Sequence, residues 1–247
     1  MNERRRAAPR HESRLVGQRT AHGGERGTPA LTLFDLDHTL LSGDSDVLWC
    51  NFLMDQGVLD RAIFAPRNAD MEARYQAGTV GVQEFADFYV GTLAGRTAQQ
   101  WEPLRQAFLA AHIVPRIGVA ARRLVRQHLD AGDLVVLTTA TNRFITELTA
   151  QHLGIVHLMA TDVEVVDGIF TGHTRGTLNM REGKVVRLHE WLTMRGAKLP
   201  QFTSTAYSDS ANDLPLLLAV DRAVAVNADP RLREAAAQRG WKNINLE

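Results

Sequence analysis

The stretch Phe34-Asp35-Leu36-Asp37-His38-Thr39-Leu40-Leu41 decides the fold, because it places two carboxylates where an apolar run ends. Residues 30–34 read Ala-Leu-Thr-Leu-Phe, which is typical of a buried strand. Asp35 and Asp37 therefore fall at the carboxyl end of this strand, where ligands bind in open α/β sheets. Residues i and i+2 of a strand point to the same side, so both carboxylates are predicted to face one pocket.

The rest of the chain divides into two patterns. Amphipathic segments separated by glycines predict a helical block over about residues 46–114. Strand-like and helix-like segments then alternate to the end, which predicts a parallel sheet covered on both faces. The predicted fold class is α/β, with a Rossmann-like parallel-sheet core over 29–45 and 115–247 and an inserted all-helical cap. Asp167-Gly168 predicts a tight hairpin turn within the core.

Residues 1–28 carry seven arginines and almost no apolar run, which predicts a disordered tail. The tail has no apolar segment of the kind found in secretory signals. Its three glutamates and the lack of an amphipathic stripe argue against a transit peptide.

The composition narrows the choice of partners and compartment. The 28 basic and 28 acidic residues balance, so no overall field attracts nucleic acid or a membrane surface. No apolar stretch approaches the roughly 18 residues of a membrane span. The single cysteine, Cys50, excludes an internal disulfide and fits a reducing cytoplasm. We expect a cytoplasmic protein whose partners include neither nucleic acid nor membrane, and the oligomeric state stays open.

Three further polar groups follow the aspartate pair along the chain. They are Thr139, just past a buried strand, Lys184 in Glu-Gly-Lys, and the stretch Tyr207-Ser208-Asp209-Ser210-Ala211-Asn212-Asp213. Together these residue types suit phosphoryl transfer, where catalysis consists mostly of positioning and charge neutralisation.

Each group has a chemical task in such a reaction. A carboxylate nucleophile repels a dianionic phosphate, and Mg²⁺ held by Asp35 and Asp209 would cancel that repulsion. Lys184, Thr139 and backbone N–H groups beginning at Ala140 would contact the phosphate oxygens. Asp37 would protonate the departing alkoxide and then accept a proton from the attacking water.

The order and spacing of these motifs resemble the haloacid dehalogenase superfamily, in its phosphoserine phosphatase-like branch with a helical cap after the first strand. The run 140–142 also resembles bacterial histidinol-phosphatase-like relatives. The resemblance covers nearly all of residues 30–247. It implies a set of roles: Asp35 as nucleophile, Asp37 as general acid/base, Thr139, Lys184 and Asn212 on the phosphate, Asp35, Asp209 and the Asp37 carbonyl as Mg²⁺ ligands, and Asp213 and Ser210 in support. One departure is Ser208, where family members often have glycine.

Several points stay open at the level of sequence. Thr138 replaces Thr139 as phosphate donor if the register shifts by one residue. Asp44 and Asp46 favour a cation-bearing substrate; equally, Ser45 or Asp44 caps the helix that follows, and the acids suit its positive end. Asp162, Glu164 and Asp167 are expected to face solvent.

The resemblance also bears on the substrate. It places an acidic substrate-binding residue at Asp44, whereas Val90 stands where the family has a carboxylate-binding cap arginine, for which Arg74 is a possible substitute. We therefore predict Mg²⁺-dependent hydrolysis, through an aspartyl-phosphate, of a small phosphorylated metabolite such as phosphoserine, histidinol phosphate, phosphoethanolamine or phosphocholine. A phosphomutase and a non-catalytic phosphometabolite-binding protein are the alternatives.

Overall fold

The computed structural model describes residues 28–246. The tail predicted to be disordered therefore lies outside the described residues, apart from Thr28. Within the described part, no helix is both long enough and apolar enough to cross a membrane.

A seven-stranded sheet runs through the molecule in the order β4-β3-β2-β1-β5-β6-β7. Its strands are β1 (Ala30–Phe34), β2 (Leu134–Asn142), β3 (His157–Val166), β4 (Ile169–Arg175), β5 (Thr203–Ser208), β6 (Arg222–Val226) and β7 (Lys242–Ile244). Every neighbouring pair is parallel except the β3–β4 hairpin. Asp167 and Gly168 connect that hairpin with positive φ angles, as the predicted turn requires. The α/β fold class with a mostly parallel sheet is confirmed.

The helices follow the predicted order. They are α1 (Ser45–Asp55), α2 (Arg61–Ala77), α3 (Val82–Val90), α4 (Ala98–Phe108), α5 (Val119–Asp130), α6 (Arg143–His152), α7 (Glu182–Thr193), α8 (Leu214–Ala219) and α9 (Pro230–Arg239). Helices α1 to α4 lie between β1 and α5, where the cap was predicted. The division into domains at residues 46 and 114 stays a prediction.

Alternating residues of the central strands pack into two hydrophobic clusters, one on each face of the sheet. Leu31 and Leu33 of β1 belong to one cluster, and Phe34 belongs to the other. The Phe34 cluster continues into the cap through Trp49 and Trp101. A third group, which we call the cap cluster, consists of Val47, Cys50, Met54, Met71, Val80, Phe85, Phe88, Tyr89 and Met180.

The register of β1 positions the acidic segments. Phe34 lies opposite Tyr207 of β5 on one side and Leu137 of β2 on the other. Because all three strands are parallel, their carboxyl ends meet at one edge of the sheet. The segments that follow them are therefore neighbours in space although they are far apart in sequence.

Candidate active site

Asp35 and Asp209 come together at the ends of β1 and β5. The backbone N–H of Asp35 donates to the Tyr207 carbonyl at 3.0 Å, which continues the strand pairing one residue beyond β1. The Thr39 hydroxyl lies 3.0 Å from Asp35 Oδ2 and 3.2 Å from Asp209 Oδ1. The two carboxylates are thus close enough to share one small ligand.

Lys184 stands in the first turn of α7 and forms two short ion pairs. Its Nζ is 2.7 Å from Asp35 Oδ1 and 2.6 Å from Asp213 Oδ2. Burial alone would lower the pKa of Lys184, but Asp213 and Asp35 raise it above its usual range. The ammonium group is therefore charged. Ser208 takes part as well, because its hydroxyl donates to Asp213 Oδ2 at 2.8 Å.

Asp37 is held by a separate set of donors. The backbone N–H of Ser45 donates to Oδ1 at 2.7 Å, and the hydroxyls of Thr139 and Thr141 each donate to Oδ2 at 3.1 Å. The Thr138 hydroxyl instead accepts from the Asn179 side-chain amide on the other side of β2. The structure therefore brings Thr139, and not Thr138, to the aspartate pair. Half-buried Ala140 follows it.

The buried carboxylates exceed the positive charge available to them. Burial raises the pKa of Asp35 to about 7, which Lys184 partly offsets while Asp213 and Asp37 add to the rise. The pKa of Asp209 is also raised, by burial and then by Asp35 and Asp213. No Lys, Arg or His among residues 28–246 forms an ion pair with Asp209.

This donor set fits a hard divalent cation. Carboxylate oxygens are the ligands that Mg²⁺ prefers, and it commonly uses one or two carboxylates together with waters and phosphate oxygens. In the described part of the chain, no three or more His, Cys, Asp or Glu side chains are grouped to hold a metal. A cation here would therefore be bound by Asp35, Asp209 and a backbone carbonyl such as that of Asp37, with positions left for water and substrate.

A cavity of about 290 Å³ opens beside Asp209, between the strand ends and α2. Residues from both sides line it: His38, Asp44, Glu72, Tyr75, Gln76, Asp209, Ser210, Asn227, Asp229 and Pro230. The lining includes four carboxylates and no lysine or arginine. A larger groove of about 650 Å³ between α2 and α3 contains none of the strand-end acids.

Asp44 combines the two properties that the sequence left open. Its Oδ1 caps α1 by accepting from the N–H groups of Asp46 at 2.9 Å and Val47 at 3.0 Å, yet the side chain also lines the cavity. Burial, and then Asp37, raises the pKa of Asp44 to about 8. Asp46 does not line the cavity; it lies buried beside Asn142. The cavity therefore gives Asp46 no support as a specificity residue.

The acidic stretch after β5 divides into parts with different contacts. Ser210 lines the cavity and caps the short 3₁₀ turn Ala211–Asp213. The Asn212 side chain is engaged elsewhere, with the Tyr75 carbonyl and with Arg181. The predicted contact of Asn212 with phosphate therefore gains no support from these hydrogen bonds.

The structure does not support two expectations about charged residues, one for Arg74 and one for Asp162. Arg74 forms a bidentate pair with Glu84 and lies outside the cavity, so the structure does not favour it as a carboxylate clamp. The expectation that Asp162 simply faces solvent is wrong, because it pairs with Arg143 and Arg187. Two long side chains reach across to it from α6 and α7, which the local sequence did not reveal.

Sequence reasoning also missed several residues of the site: Thr39, Ser45, Thr141, Glu72 and Tyr75. Glu72 and Tyr75 are three residues apart on α2, and this spacing places both side chains on one helical face. Glu72 makes no hydrogen bond or ion pair with any residue between 28 and 246. The spacing was visible in the sequence, but which face turns toward the core was not.

Comparisons with known proteins identify the family and agree with the fold. The family model described as haloacid dehalogenase-like hydrolase matches residues 32–218. A histidinol-phosphatase of Neisseria meningitidis serogroup C is 37% identical over 219 residues, which cover 88% of this chain and 99% of that protein.

Two solved structures share the fold. A Bordetella pertussis Tohama I protein of unknown function is 46% identical, with a TM-score of 0.85, and the match covers 90% of this chain and all of that one. A phospho-aspartyl intermediate analogue of phosphoserine phosphatase matches with a TM-score of 0.66 at 17% identity, over 90% of this chain and 95% of that one.

Proposed function

The chain belongs to the haloacid dehalogenase-like hydrolases, and from that membership we propose that it hydrolyses a small, positively charged phosphomonoester, histidinol phosphate first among the candidates. The observation that carries the choice of substrate is the cavity beside Asp209, whose lining holds four carboxylates and neither lysine nor arginine. A cationic leaving group would relieve the mutual repulsion of these acids.

In the first half of the proposed reaction, a carboxylate oxygen of Asp35 attacks phosphorus and the bond to the leaving oxygen breaks. Asp37 donates a proton to that oxygen, and the hydroxyls of Thr139 and Thr141 keep its carboxyl group aimed at the reacting centre. Lys184 neutralises charge on Asp35 and on the incoming phosphate, while Asp213 fixes the position of the ammonium group.

In the second half, Asp37 accepts a proton from a water molecule that attacks the aspartyl-phosphate, which releases inorganic phosphate and restores Asp35. Asp35, Asp209 and the Asp37 carbonyl would hold a Mg²⁺ ion, which would supply positive charge against the phosphate dianion. Formation of inorganic phosphate distinguishes this hydrolysis from a phosphomutase reaction, in which the phosphoryl group is passed on to another acceptor.

Asp44 and Glu72 are the proposed recognition residues for the cation. They approach the cavity from the core and from the cap, and the charge of Glu72 contributes to the raised pKa of Asp44. A positive group between them would compensate both carboxylates. Phosphoethanolamine, phosphocholine and phosphoserine also carry such a group, and phosphoserine adds a carboxylate for which the cavity lining offers no lysine or arginine. We also propose a cytoplasmic location, which the single cysteine supports.

The test is a comparison of kcat/KM, with Mg²⁺, for histidinol phosphate, phosphocholine, phosphoserine and p-nitrophenyl phosphate in three variants. Asp44→Asn and Glu72→Gln should each lower kcat/KM for cationic substrates about tenfold, equivalent to about 1.4 kcal/mol. Turnover of p-nitrophenyl phosphate should change less than twofold. Asp70→Asn is the matched control, because Asp70 is exposed on the same helix and lies outside the cavity.

The results separate the two parts of the proposal. Equal losses for charged and uncharged leaving groups would reject the cation site and leave Asp44 as a helix cap alone. Absence of phosphate release from every substrate, p-nitrophenyl phosphate included, would reject the phosphatase itself.

A further inference from the structure

The segment from Asn179 to Lys184 contacts the end of the sheet, the cap and the buried carboxylate Asp35. The Asn179 amide donates to the carbonyls of Thr139 and Met159 at the end of the sheet. Met180 inserts into the cap cluster. Lys184 pairs with Asp35, as described above. Between these contacts lies Arg181, to which the proposed mechanism assigns no task.

The Arg181 side chain bridges the cap and the catalytic loop. Its Nη2 donates to the Gly78 and Val80 carbonyls at 3.4 and 3.1 Å, and its Nε donates to Asn212 Oδ1 at 3.3 Å. Asn212 Nδ2 in turn donates to the Tyr75 carbonyl at 3.4 Å. Two donors of the core thus hold three carbonyl groups at the end of α2.

The carboxyl end of a helix carries partial negative charge, which attracts a guanidinium group. Gly78 ends α2 in the left-handed conformation, and a Cβ atom there would stand 2.6 Å from Nη1 of Arg231. A second arginine of the core therefore also packs on this turn. The same helix carries Glu72 and Tyr75 into the cavity, so whatever fixes its end fixes the cavity wall.

The backbone of Arg181 is strained, with φ 53° and ψ −125°. Glycine adopts such a conformation at much lower cost, and a non-glycine residue persists there only where its surroundings determine it. The contacts of Met180 and Arg181 with the cap hold the backbone in this conformation.

We propose that Arg181 is a positioning residue that latches the cap, binding the Gly78–Val80 turn and Asn212 together when the cap covers the cavity. The proposal rests on the proposed function only for the identity of the substrate. Loss of the guanidinium group would let α2 move away from the strand ends, so that the cavity opens more often and the substrate is held less well.

The only cysteine of the chain reports on this opening without any substrate. Cys50 is fully buried in the cap cluster, which also contains Val80 and Met180. Arg181→Ala should raise the rate of Cys50 modification by a thiol-specific disulfide reagent at least about fivefold under native conditions. Arg195→Ala is the matched control, because that arginine also donates to a backbone carbonyl, at the far end of α7 and away from the cap.

Kinetics give the second readout. Arg181→Ala should raise KM for the best cationic substrate about tenfold and change kcat less than threefold, since the reacting groups themselves are untouched. Arg181→Lys should recover part of the affinity because an ammonium group also donates to carbonyls. Addition of guanidinium ion at low millimolar concentration should slow Cys50 labelling in Arg181→Ala but not in Arg195→Ala.

Equal labelling rates in wild type, Arg181→Ala and Arg195→Ala would overturn the latch. So would a loss of kcat with unchanged KM. Labelling that is accelerated to the same extent in Arg181→Ala with and without guanidinium ion would point to general destabilisation and would also count against the proposal. If no substrate is turned over, the labelling experiment still decides the latch, and only the proposed function fails.

Discussion

Asp35 and Asp37 have the same side chain but different surroundings, and the difference suits two different tasks. Asp35 is buried against Lys184 and close to Asp209 and Asp213, which is a suitable setting for a nucleophile that must meet an anion. Asp37 receives three hydrogen bonds from donors of the neighbouring loop and strand. Those donors orient its carboxyl group without placing a fixed cation on it.

Replacing the proposed nucleophile by its amide tests this assignment. Asp35→Asn should lower kcat by at least about three orders of magnitude, because an amide forms no acyl-phosphate. The circular dichroism spectrum should match that of the wild type, since asparagine keeps the shape of the side chain. Asp70→Asn, on an exposed face, should retain full activity. Residual turnover by Asp35→Asn at a tenth or more of the wild-type rate would show that another group attacks phosphorus.

Residue identities at the strand ends were predictable, whereas their partners were not. Asp35, Thr139, Lys184 and Asp209 each follow a local pattern, either an apolar run that stops at a polar residue or a glycine before a lysine. Glu72 and Arg181 follow no such pattern. Their positions depend on how α2 docks on the core, which is decided by contacts between residues distant in sequence.

At the scale of elements, the start of α7 depends on a glycine. A Cβ atom on Gly183 would lie 2.0 Å from the Leu178 carbonyl oxygen, and a backbone atom has little freedom to move aside. The close approach lets the chain turn from Met180 directly into α7. Lys184 follows at the next position, so the turn also delivers its ammonium group to Asp35.

Gly183→Ala should therefore damage both stability and activity. We expect a loss of at least about 2 kcal/mol in the free energy of unfolding, measured by urea denaturation, together with a lower kcat. Gly91→Ala is the control: φ there is −55°, nothing lies within 4 Å of the added atom, and stability should be unchanged or slightly higher. If both variants unfold at the same urea concentration as the wild type, the turn tolerates a side chain.

Strands and helices with a regular pattern of apolar residues were predicted from the sequence, and short polar strands were not. The apolar runs of β1, β2, β5 and β6 and the glycine-bounded helices gave regular patterns. Strand β7 has only three residues, Lys-Asn-Ile, and forms because β6 offers it a parallel edge. The first half of β3 was missed as well, since its pairing with β2 involves residues some twenty positions away.

For the whole molecule, the central position of β1 between β2 and β5 explains why the site exists. Parallel pairing aligns three strand ends, and the loops after them bring the acids near both ends of the chain into one buried group. Lys184 compensates part of their charge. The remaining repulsion between the buried carboxylates destabilises the folded chain. It is absent from the unfolded chain, because only strand pairing brings these carboxylates together.

A cation that binds this group should therefore stabilise the fold itself. Mg²⁺ at a hundred times its dissociation constant would add about 2.7 kcal/mol, or roughly 5–10 °C in Tm for a chain of this size. Differential scanning fluorimetry with EDTA and with Mg²⁺ measures the shift, and EDTA should also abolish turnover.

Asp209→Asn should raise the Tm measured in EDTA, because it removes a buried charge, and should lose most of the Mg²⁺-dependent shift. Asp70→Asn should shift like the wild type. An equal Mg²⁺-dependent shift of Tm in Asp209→Asn would show that the cation binds elsewhere. No shift in the wild type would contradict cation binding by the buried carboxylates.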